Sequence, residues 1–361
     1  MIPVTEPFLP PLEEYQERIS QIWKRNWLTN DGPLVNELEL ELKRYLGLEH
    51  VLFVSDGTIA LQFAIQALGV EGEVITTPFS YVATTSSIVW EGCTPIFVDI
   101  EPSTLNIDPK KIGPAITEDT SAILATHCFG NPCDIEAIRG IAEEHDLKVI
   151  YDAAHCFGTD YKGESVLKYG DISATSFHAT KLFHTVEGGA VITQDPDLLE
   201  KMAYMRNFGH DGPGEFNGVG INGKNSEMHA AMGLCNLEYI DTILEKRAAQ
   251  CAYYDELLVD LNVRRPEPIS GTEVNHAYYP ILFESHEAMK TSKAILEKRE
   301  ISARRYFYPS LTALDYVPDM DTPVSDDVAR RILCLPLYHE LTKEEQEMIA
   351  RLLLRNQRYD Q

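Results

Sequence analysis

The chain has 361 residues and a formal net charge of −25, and apolar residues make up 44% of it. This length suits two domains, or one large domain with a smaller one appended. So strong a negative charge repels nucleic acid and anionic membranes, so we expect neither as a partner.

The sequence also indicates a compartment. It has no basic N-terminal region followed by an apolar stretch and no apolar run long enough to cross a bilayer, so we predict a cytoplasmic protein. Seven cysteines without a Cys-x-x-Cys pair argue against a disulfide framework and a structural zinc site. We therefore predict no metal and a reducing environment.

Short apolar runs alternate with amphipathic stretches between residues 49 and 193. Strands are predicted at 50–54, 73–76, 94–98, 121–126, 148–151, 172–177 and 189–193, and helices at 58–68, 81–91 and 135–145. Strands that alternate with helices indicate βαβ units around a mostly parallel sheet, here of seven strands.

The second half of the chain predicts a smaller unit. A helix at 198–208 precedes a Gly- and Asn-rich stretch, 209–225, which we expect to be a long loop, and one long helix over 227–247. The Pro-rich segment 264–271 is a candidate boundary, followed by a strand at 277–283 and helices at 288–298 and 342–355. We predict an α/β fold with a large domain, residues 1–248, and a small C-terminal α+β domain, residues 249–361.

One lysine is a candidate nucleophile. Lys181 ends the segment Ser176-Phe177-His178-Ala179-Thr180-Lys181, which follows an apolar strand and precedes the turn Glu187-Gly188-Gly189. A lysine at the end of a buried strand can lose solvation, which lowers its pKa and frees the amine to form a Schiff base with an aldehyde cofactor. Taken alone, the segment also fits an ordinary surface lysine in a loop.

Three further strand ends carry complementary groups. Asp152 follows a strand, where a carboxylate can keep a pyridine nitrogen protonated. Gly57 and Thr58 begin a helix that can offer N–H groups to an anion, to which Ser176 can add a hydroxyl, and Tyr81 can stack on a ring. Each has an ordinary structural alternative: a helix cap, a common helix start and a core aromatic. Their joint order on successive strand ends favours a cofactor site.

These motifs resemble the DegT/DnrJ/EryC1/StrS family of sugar aminotransferases, within the aspartate-aminotransferase fold (fold type I) of pyridoxal-phosphate enzymes. The resemblance covers nearly the whole chain. It rests on seven segments in the family's order: 27–33, 55–61, 78–81, 127–132, Asp152-Ala153-Ala154-His155, 176–181 and 220–227.

The resemblance implies a pyridoxal 5'-phosphate site in a homodimer, with the active site at the interface. It implies that Lys181 forms the Schiff base and shuttles the proton, and that Asp152 pairs with the pyridine nitrogen. The other implied cofactor contacts are His155 near the phenolic oxygen, Tyr81 against the ring, Gly57, Thr58 and Ser176 at the phosphate, and Asn222 reaching that phosphate from the partner subunit.

Other positions are candidate substrate contacts. Lys224 stands where relatives usually have Arg, and Arg304-Arg305-Tyr306 stand in a region where many relatives have a His-Tyr pair. The basic pair could meet a pyrophosphate or lie on an exposed surface. His178 and Glu187 belong to a stretch that looks more like family members aminating C4 of the sugar than those aminating C3, which tend to have Tyr-Pro-Gly-Lys.

The implied reaction transfers an amino group from L-glutamate to a nucleotide-linked keto sugar. We expect dTDP-4-keto-6-deoxyglucose to become dTDP-4-amino-4,6-dideoxyglucose, for a surface polysaccharide such as O-antigen. The family's sugar dehydratases are excluded, since they carry His where Lys181 stands. The open alternatives are a C3 aminotransferase acting on a dTDP-3-keto-6-deoxyhexose, a non-catalytic regulator that binds the cofactor, and an α/β binding protein with coincidental motifs.

Overall fold

The computed structural model describes residues 1–359. Its helices are α1 (Leu12–Arg25), α2 (Pro33–Leu46), α3 (Gly57–Ala67), α4 (Val82–Trp90), α5 (Pro109–Ala115), α6 (Ile135–His145), α7 (Pro196–Arg206), α8 (Glu227–Leu237), α9 (Ile240–Leu257), α10 (His286–Glu297), α11 (Pro323–Arg331) and α12 (Lys343–Tyr359). Its strands are β1 (His50–Val54), β2 (Glu73–Thr76), β3 (Thr94–Phe97), β4 (Thr120–Thr126), β5 (Lys148–Asp152), β6 (Asp160–Tyr161), β7 (Glu164–Ser165), β8 (Ile172–Ser176), β9 (Gly189–Thr193), β10 (Val263–Arg264), β11 (Thr272–Glu273), β12 (Tyr279–Phe283) and β13 (Ile332–Leu335). Within this range no helix is both long and apolar enough to cross a membrane.

The central sheet has seven strands in the order β1-β9-β8-β5-β4-β2-β3. Strand β9 runs antiparallel to both of its neighbours, and the other pairings are parallel. The expectation of a mostly parallel seven-stranded sheet is confirmed. Because parallel strands end at the same edge, the segments that follow β2, β4, β5 and β8 lie close together.

Alternate side chains of the sheet pack into two separate apolar cores, one on each face of the sheet. On β4, Ala122 and Leu124 pack into one apolar cluster, whereas Ile123 and Ala125 pack into the other. All four side chains are fully buried. A sheet covered on both faces needs continuous apolar runs, which explains why its strands could be read from the sequence without polar alternation.

The C-terminal part of the chain builds its own apolar cluster around the antiparallel sheet β10-β12-β13. Ile2 belongs to this cluster and forms a parallel bridge with Ile301, so the first residues of the chain pack against its last third. Helix α9 runs through residues 248 and 249, where the sequence predicts the domain boundary. That division remains a prediction.

The single helix predicted over 227–247 is wrong, because α8 and α9 are separated by a turn at Glu238 and Tyr239. The N–H groups of these two residues bond three residues back, to Cys235 and Asn236, which tightens and ends α8. The Tyr239 hydroxyl donates to Glu14 at 2.7 Å. This contact with a distant part of the chain fixes the turn, and the local sequence carries no sign of it.

Glu227, the first residue of α8, binds the start of α2 through its side chain. Its carboxylate accepts the backbone N–H groups of Leu34 and Val35 at 3.0 and 2.9 Å, and the side chain is fully buried. Gly32 has no room for a side chain here, since a Cβ would lie 2.5 Å from the Glu227 carboxyl carbon. Glu227 therefore caps a helix that lies far from it in sequence.

Replacing Glu227 with alanine should destabilise the fold, because two buried N–H groups lose their acceptor. We expect the free energy of unfolding in urea to fall by about 1–3 kcal/mol. Glu245→Ala, at an exposed position of α9, is the control and should change it by less than about 0.5 kcal/mol. Equal stabilities of the two variants would contradict the capping role.

Candidate active site

A cavity of about 370 Å³ lies at the carboxyl edge of the central sheet, between that edge and the C-terminal part of the chain. Most of the residues predicted from sequence line it: Gly57, Thr58, Tyr81, Asp152, His155, Ser176, His178, Lys181, Glu187, Arg304 and Tyr306. The strand-end motifs therefore meet in one place, as the parallel sheet requires.

Asp152 is the last residue of β5 and is 6% exposed. Its Oδ2 accepts the Thr84 hydroxyl at 2.6 Å, and its Oδ1 accepts the Ala154 N–H at 3.2 Å. Burial raises the pKa of this carboxyl group, while the bonds from Thr84 and Ala154 and the positive charge of Lys181 act in the opposite direction. The two hydrogen bonds and the charge of Lys181 thus offset part of the cost of burying the carboxylate.

Lys181 ends a tight turn after β8, in which its N–H donates to the His178 carbonyl at 2.8 Å. Burial of the amine lowers the pKa of Lys181 to about 8, and the charge of Arg304 acts in the same direction. Asp152 opposes this change. The amine is therefore neutral far more often near pH 7 than that of an ordinary lysine, which makes it available as a nucleophile and a base.

The start of α3 lies against the end of β8. A Cβ on Gly57 would lie 2.8 Å from the Ser176 Cβ, so only glycine allows this approach. Asp56 caps the helix, and its Oδ1 accepts the N–H groups of Thr58 and Ile59 at 2.8 and 2.9 Å. The N–H group of Thr58, one of the two donors expected from the sequence, is thus bonded to Asp56 in this structure. The hydroxyls of Thr58 and Ser176 remain at the cavity wall.

Aromatic rings form the walls. Tyr81 precedes α4 and is 55% exposed, whereas His155 is buried and lies parallel to Phe307 at 5.7 Å between ring centroids. The Nδ1 of His155 accepts the Phe129 N–H at 3.3 Å. Burial, helped by the charge of Lys181, lowers the pKa of His155 well below its ordinary value. The ring is therefore neutral and carries its proton on Nε2.

The candidate substrate contacts at the cavity form two groups. The Nδ1 of His178 lies 2.8 Å from the Thr180 hydroxyl, and its Nε2 lies 3.6 Å from the Glu187 carboxylate. Across the cavity, the Arg304 guanidinium lies 4.7 Å from the centre of the Tyr306 ring. Charged groups of both signs, Glu187 and Arg304, therefore line the same cavity as Lys181.

Three predicted residues lie elsewhere within the described chain. Arg305 stacks on Tyr308, with its guanidinium 3.2 Å from the ring centre, and donates to the Ala329 carbonyl at 3.1 Å. Lys224 donates to the Asn207 side chain at 2.8 Å, and Asn222 is exposed. The predicted basic pair is thus split, since Arg304 reaches the cavity and Arg305 does not.

The sequence-based prediction missed several residues that line the cavity or support it. Ser80, Thr84, Thr126, Tyr278 and Phe307 are examples. Ser80 and Thr84 are four residues apart at the start of a predicted helix, a spacing that places both hydroxyls on one face and could have identified them. Tyr278 and Phe307 come from the C-terminal part of the chain, and no local pattern marks them. No cluster of His, Cys, Asp and Glu within residues 1–359 is arranged to hold a metal.

A model of the DegT/DnrJ/EryC1/StrS aminotransferase family matches residues 12–354. The chain belongs to this family. It is 45% identical over 354 residues to a dTDP-4-amino-4,6-dideoxy-D-glucose transaminase of Shigella dysenteriae, covering 96% of both chains. A protein of the same name from Escherichia coli is 41% identical over 365 residues, or 98% of both chains. The crystal structure of DesI in the presence of its TDP-sugar product matches with a TM-score of 0.93 at 33% identity, covering 99% of this chain and 93% of DesI.

These similarities confirm the resemblance drawn from the seven motifs, the fold class and the enzymatic activity. The protein is an aminotransferase with the family's mixed α/β architecture. Its cavity suits that chemistry, because an amine of lowered pKa and a buried carboxylate face the same space.

The lowered pKa of Lys181 in this aminotransferase can be tested on the protein without any ligand. The neutral form of Lys181 should increase as the pH rises through about 8, so its rate of acetylation should reach half of its plateau there. Arg304→Gln removes a charge that lowers the Lys181 pKa and should move the midpoint up. Asp152→Asn removes a charge that raises it and should move the midpoint down.

The rates would be measured on the Lys181 peptide by mass spectrometry after brief treatment with acetic anhydride at each pH. Exposed Lys24, in the same digests, is the internal reference, and neither substitution should alter its rate. Shifts of the same sign in both variants would disprove this electrostatic account.

Proposed function

We propose that this enzyme uses pyridoxal 5'-phosphate to transfer the amino group of L-glutamate to C4 of dTDP-4-keto-6-deoxyglucose, giving dTDP-4-amino-4,6-dideoxyglucose. The observation that carries the proposal is the similarity, over almost the whole chain, to two transaminases named for that product. The cavity with Lys181 and Asp152 supports it independently.

The groups around the cavity fit the proposed cofactor. A pyridine nitrogen needs a buried carboxylate, which Asp152 provides, and an aldehyde needs the amine of Lys181. A phosphate would meet the hydroxyls of Thr58 and Ser176, and the close approach at Gly57 brings these two segments together. When bound, pyridoxal phosphate supplies an electron sink that stabilises negative charge on the substrate carbon losing its proton.

Three residues of the protein would have different roles in the reaction. Lys181, whose pKa is about 8, is suited to take the proton from the substrate carbon that bears nitrogen and to return it. Asp152 would hold the proton on the ring nitrogen, and Thr84 and Ala154 hold Asp152 in place. His155, neutral and protonated on Nε2, can donate a hydrogen bond to an oxygen on the ring.

Arg304 is the proposed contact for the anionic part of the sugar nucleotide. It lies at the cavity, whereas Arg305 is bound to Tyr308 and Ala329. A guanidinium can bind phosphate oxygens bidentately. His178, Glu187 and Tyr306 line the same space and are the proposed contacts for the sugar.

The decisive test follows the absorption of the purified protein with bound pyridoxal phosphate. The visible band should fade with L-glutamate and return with dTDP-4-keto-6-deoxyglucose. Lys181→Ala should slow both changes by roughly 100- to 10,000-fold, because the proton-transferring group is gone. Exposed Lys110→Ala is the matched control and should behave as the wild type.

Each other outcome removes one part of the proposal. A band that returns only with a dTDP-3-keto-6-deoxyhexose would replace C4 by C3. A band unaffected by L-glutamate would contradict the amino donor and, if other amino acids also fail, would favour the regulator. A protein that stays colourless with added pyridoxal phosphate would disprove the cofactor.

We also propose a homodimer in which Asn222 and Lys224 serve the partner's cavity. Asn222 lies on the loop 209–225, outside the cavity of its own protomer, and this loop exposes Phe216, Val219 and Ile221. Exposed apolar side chains on a polar loop suit a contact between subunits.

Co-expression of two inactive variants tests this arrangement. Asn222→Asp would place a negative charge near the phosphate, and Lys181→Ala removes the amine. In a mixed dimer, one cavity would combine both changes and the other would have neither, so about a quarter of wild-type activity should return in a random mixture. If Asn222 serves its own protomer, no activity should return.

A further inference from the structure

A chain of three buried hydroxyl groups ends on Asp152. The Thr84 hydroxyl lies 2.6 Å from Oδ2 of Asp152, and the Ser80 hydroxyl lies 2.7 Å from that of Thr84. The Thr126 hydroxyl lies 2.9 Å from Ser80. All four side chains are at most 6% exposed, so water does not compete for these bonds.

The fold brings these groups together from three neighbouring strands. Thr126 ends β4 and is paired with Asp152, which ends β5. Ser80 follows β2, which is the next strand in the sheet, and Thr84 lies four residues later in the first turn of α4. The hydroxyl chain therefore runs along the carboxyl edge of the sheet, where Ser80 and Thr126 also line the cavity.

The direction of the hydrogen bonds follows from Asp152. An ionised carboxylate can only accept, so Thr84 must donate its single hydroxyl hydrogen to Oδ2. The Thr84 oxygen can then accept from Ser80, whose oxygen accepts from Thr126. Each bond polarises the next, which strengthens the last donor in the chain and favours the ionised carboxylate over the neutral acid.

The two oxygens of Asp152 have different surroundings. Oδ2 is engaged by Thr84, while Oδ1 receives a longer bond of 3.2 Å from the Ala154 N–H. An ionised carboxylate oxygen can accept more than one hydrogen bond, so Oδ1 can still take one from the cavity side. Two fixed donors also define the plane of the carboxylate.

We propose that Thr84 is a positioning residue, which with Ser80 and Thr126 holds Asp152 ionised and turned so that Oδ1 receives the N–H of the cofactor ring. This role rests on the proposed use of pyridoxal phosphate. Thr84 is not among the residues that line the cavity, and it acts through Asp152.

The test compares the binding of two ligands to the cofactor-free full-length protein. One is 4-deoxypyridoxine 5'-phosphate, which has the ring nitrogen but no aldehyde, and the other is its analogue with carbon in place of that nitrogen. Neither can react with Lys181, so equilibrium dialysis reports only the non-covalent contacts. Thr84→Val keeps the shape of the side chain and removes the hydroxyl.

Thr84→Val should weaken binding of the nitrogen-containing ligand by roughly 10- to 100-fold, the loss expected for a hydrogen bond to a charged group. Its affinity for the carbon analogue should equal that of the wild type, because that ligand has no ring N–H to pair with Asp152. Thr84→Ser, which restores the hydroxyl, should recover most of the loss.

Thr85→Val is the matched control. Thr85 is the next residue of α4 and fully buried, and its hydroxyl has no hydrogen-bond partner within the described chain. The same chemical change at this position should leave both affinities unchanged. Should Thr84→Val fail to fold, Ser80→Ala breaks the next link and should weaken binding of the nitrogen ligand alone, by a smaller factor.

Two results would overturn the inference: unchanged affinity of Thr84→Val for the nitrogen ligand, or equal losses for both ligands, which indicate a purely structural role. Failure of the proposed cofactor is a separate result, since it would be seen in the wild-type protein as no binding of either ligand or of pyridoxal phosphate.

Discussion

Burying a carboxylate at the end of β5 removes it from water, and the surrounding structure has to compensate for that loss. At Asp152 the compensation comes from a hydroxyl on α4, a backbone N–H just after the strand, and the charge of Lys181. These groups come from different elements, so the carboxylate is stable only when the carboxyl edge of the sheet is correctly assembled. The site and the fold thus share one electrostatic requirement.

Burial shifts the pKa values of Lys181 and Asp152 in opposite directions. Loss of solvation raises the pKa of the acid and lowers that of the amine, so each is driven towards its neutral form, while their mutual attraction favours the charged forms. Arg304 favours the neutral amine. The balance leaves Lys181 with a pKa of about 8, close to the pH at which a base works efficiently.

Local patterns in the sequence were enough to predict the strands of the central sheet and the residues at their ends. Lys181, Asp152, Gly57 and Tyr81 could be found because parallel strands bring their carboxyl ends to one edge whatever the rest of the chain does. Their roles towards a cofactor remain predictions, whereas the family and the fold are confirmed.

The remaining features depend on contacts between distant parts of the chain. The bond from Thr84 to Asp152 spans 68 residues, and the one from Tyr239 to Glu14, at the break between α8 and α9, spans 225. Arg305 donates to the carbonyl of Ala329, 24 residues further along the chain, whereas Arg304 lines the cavity. None of these partners can be identified from periodicity or motif spacing, because packing alone selects them.

A net charge of −25 is at first sight unsuited to a phosphorylated ligand. Solvent ions screen the distant charges beyond about 8 Å at physiological ionic strength, so the groups at the cavity decide the local potential. The acids there are engaged by neighbours, since Asp56 caps α3, Asp152 accepts two hydrogen bonds and Glu187 lies beside His178. Lys181 and Arg304 face the same cavity. Local pairing of the acids thus lets an acidic protein present a site for an anion.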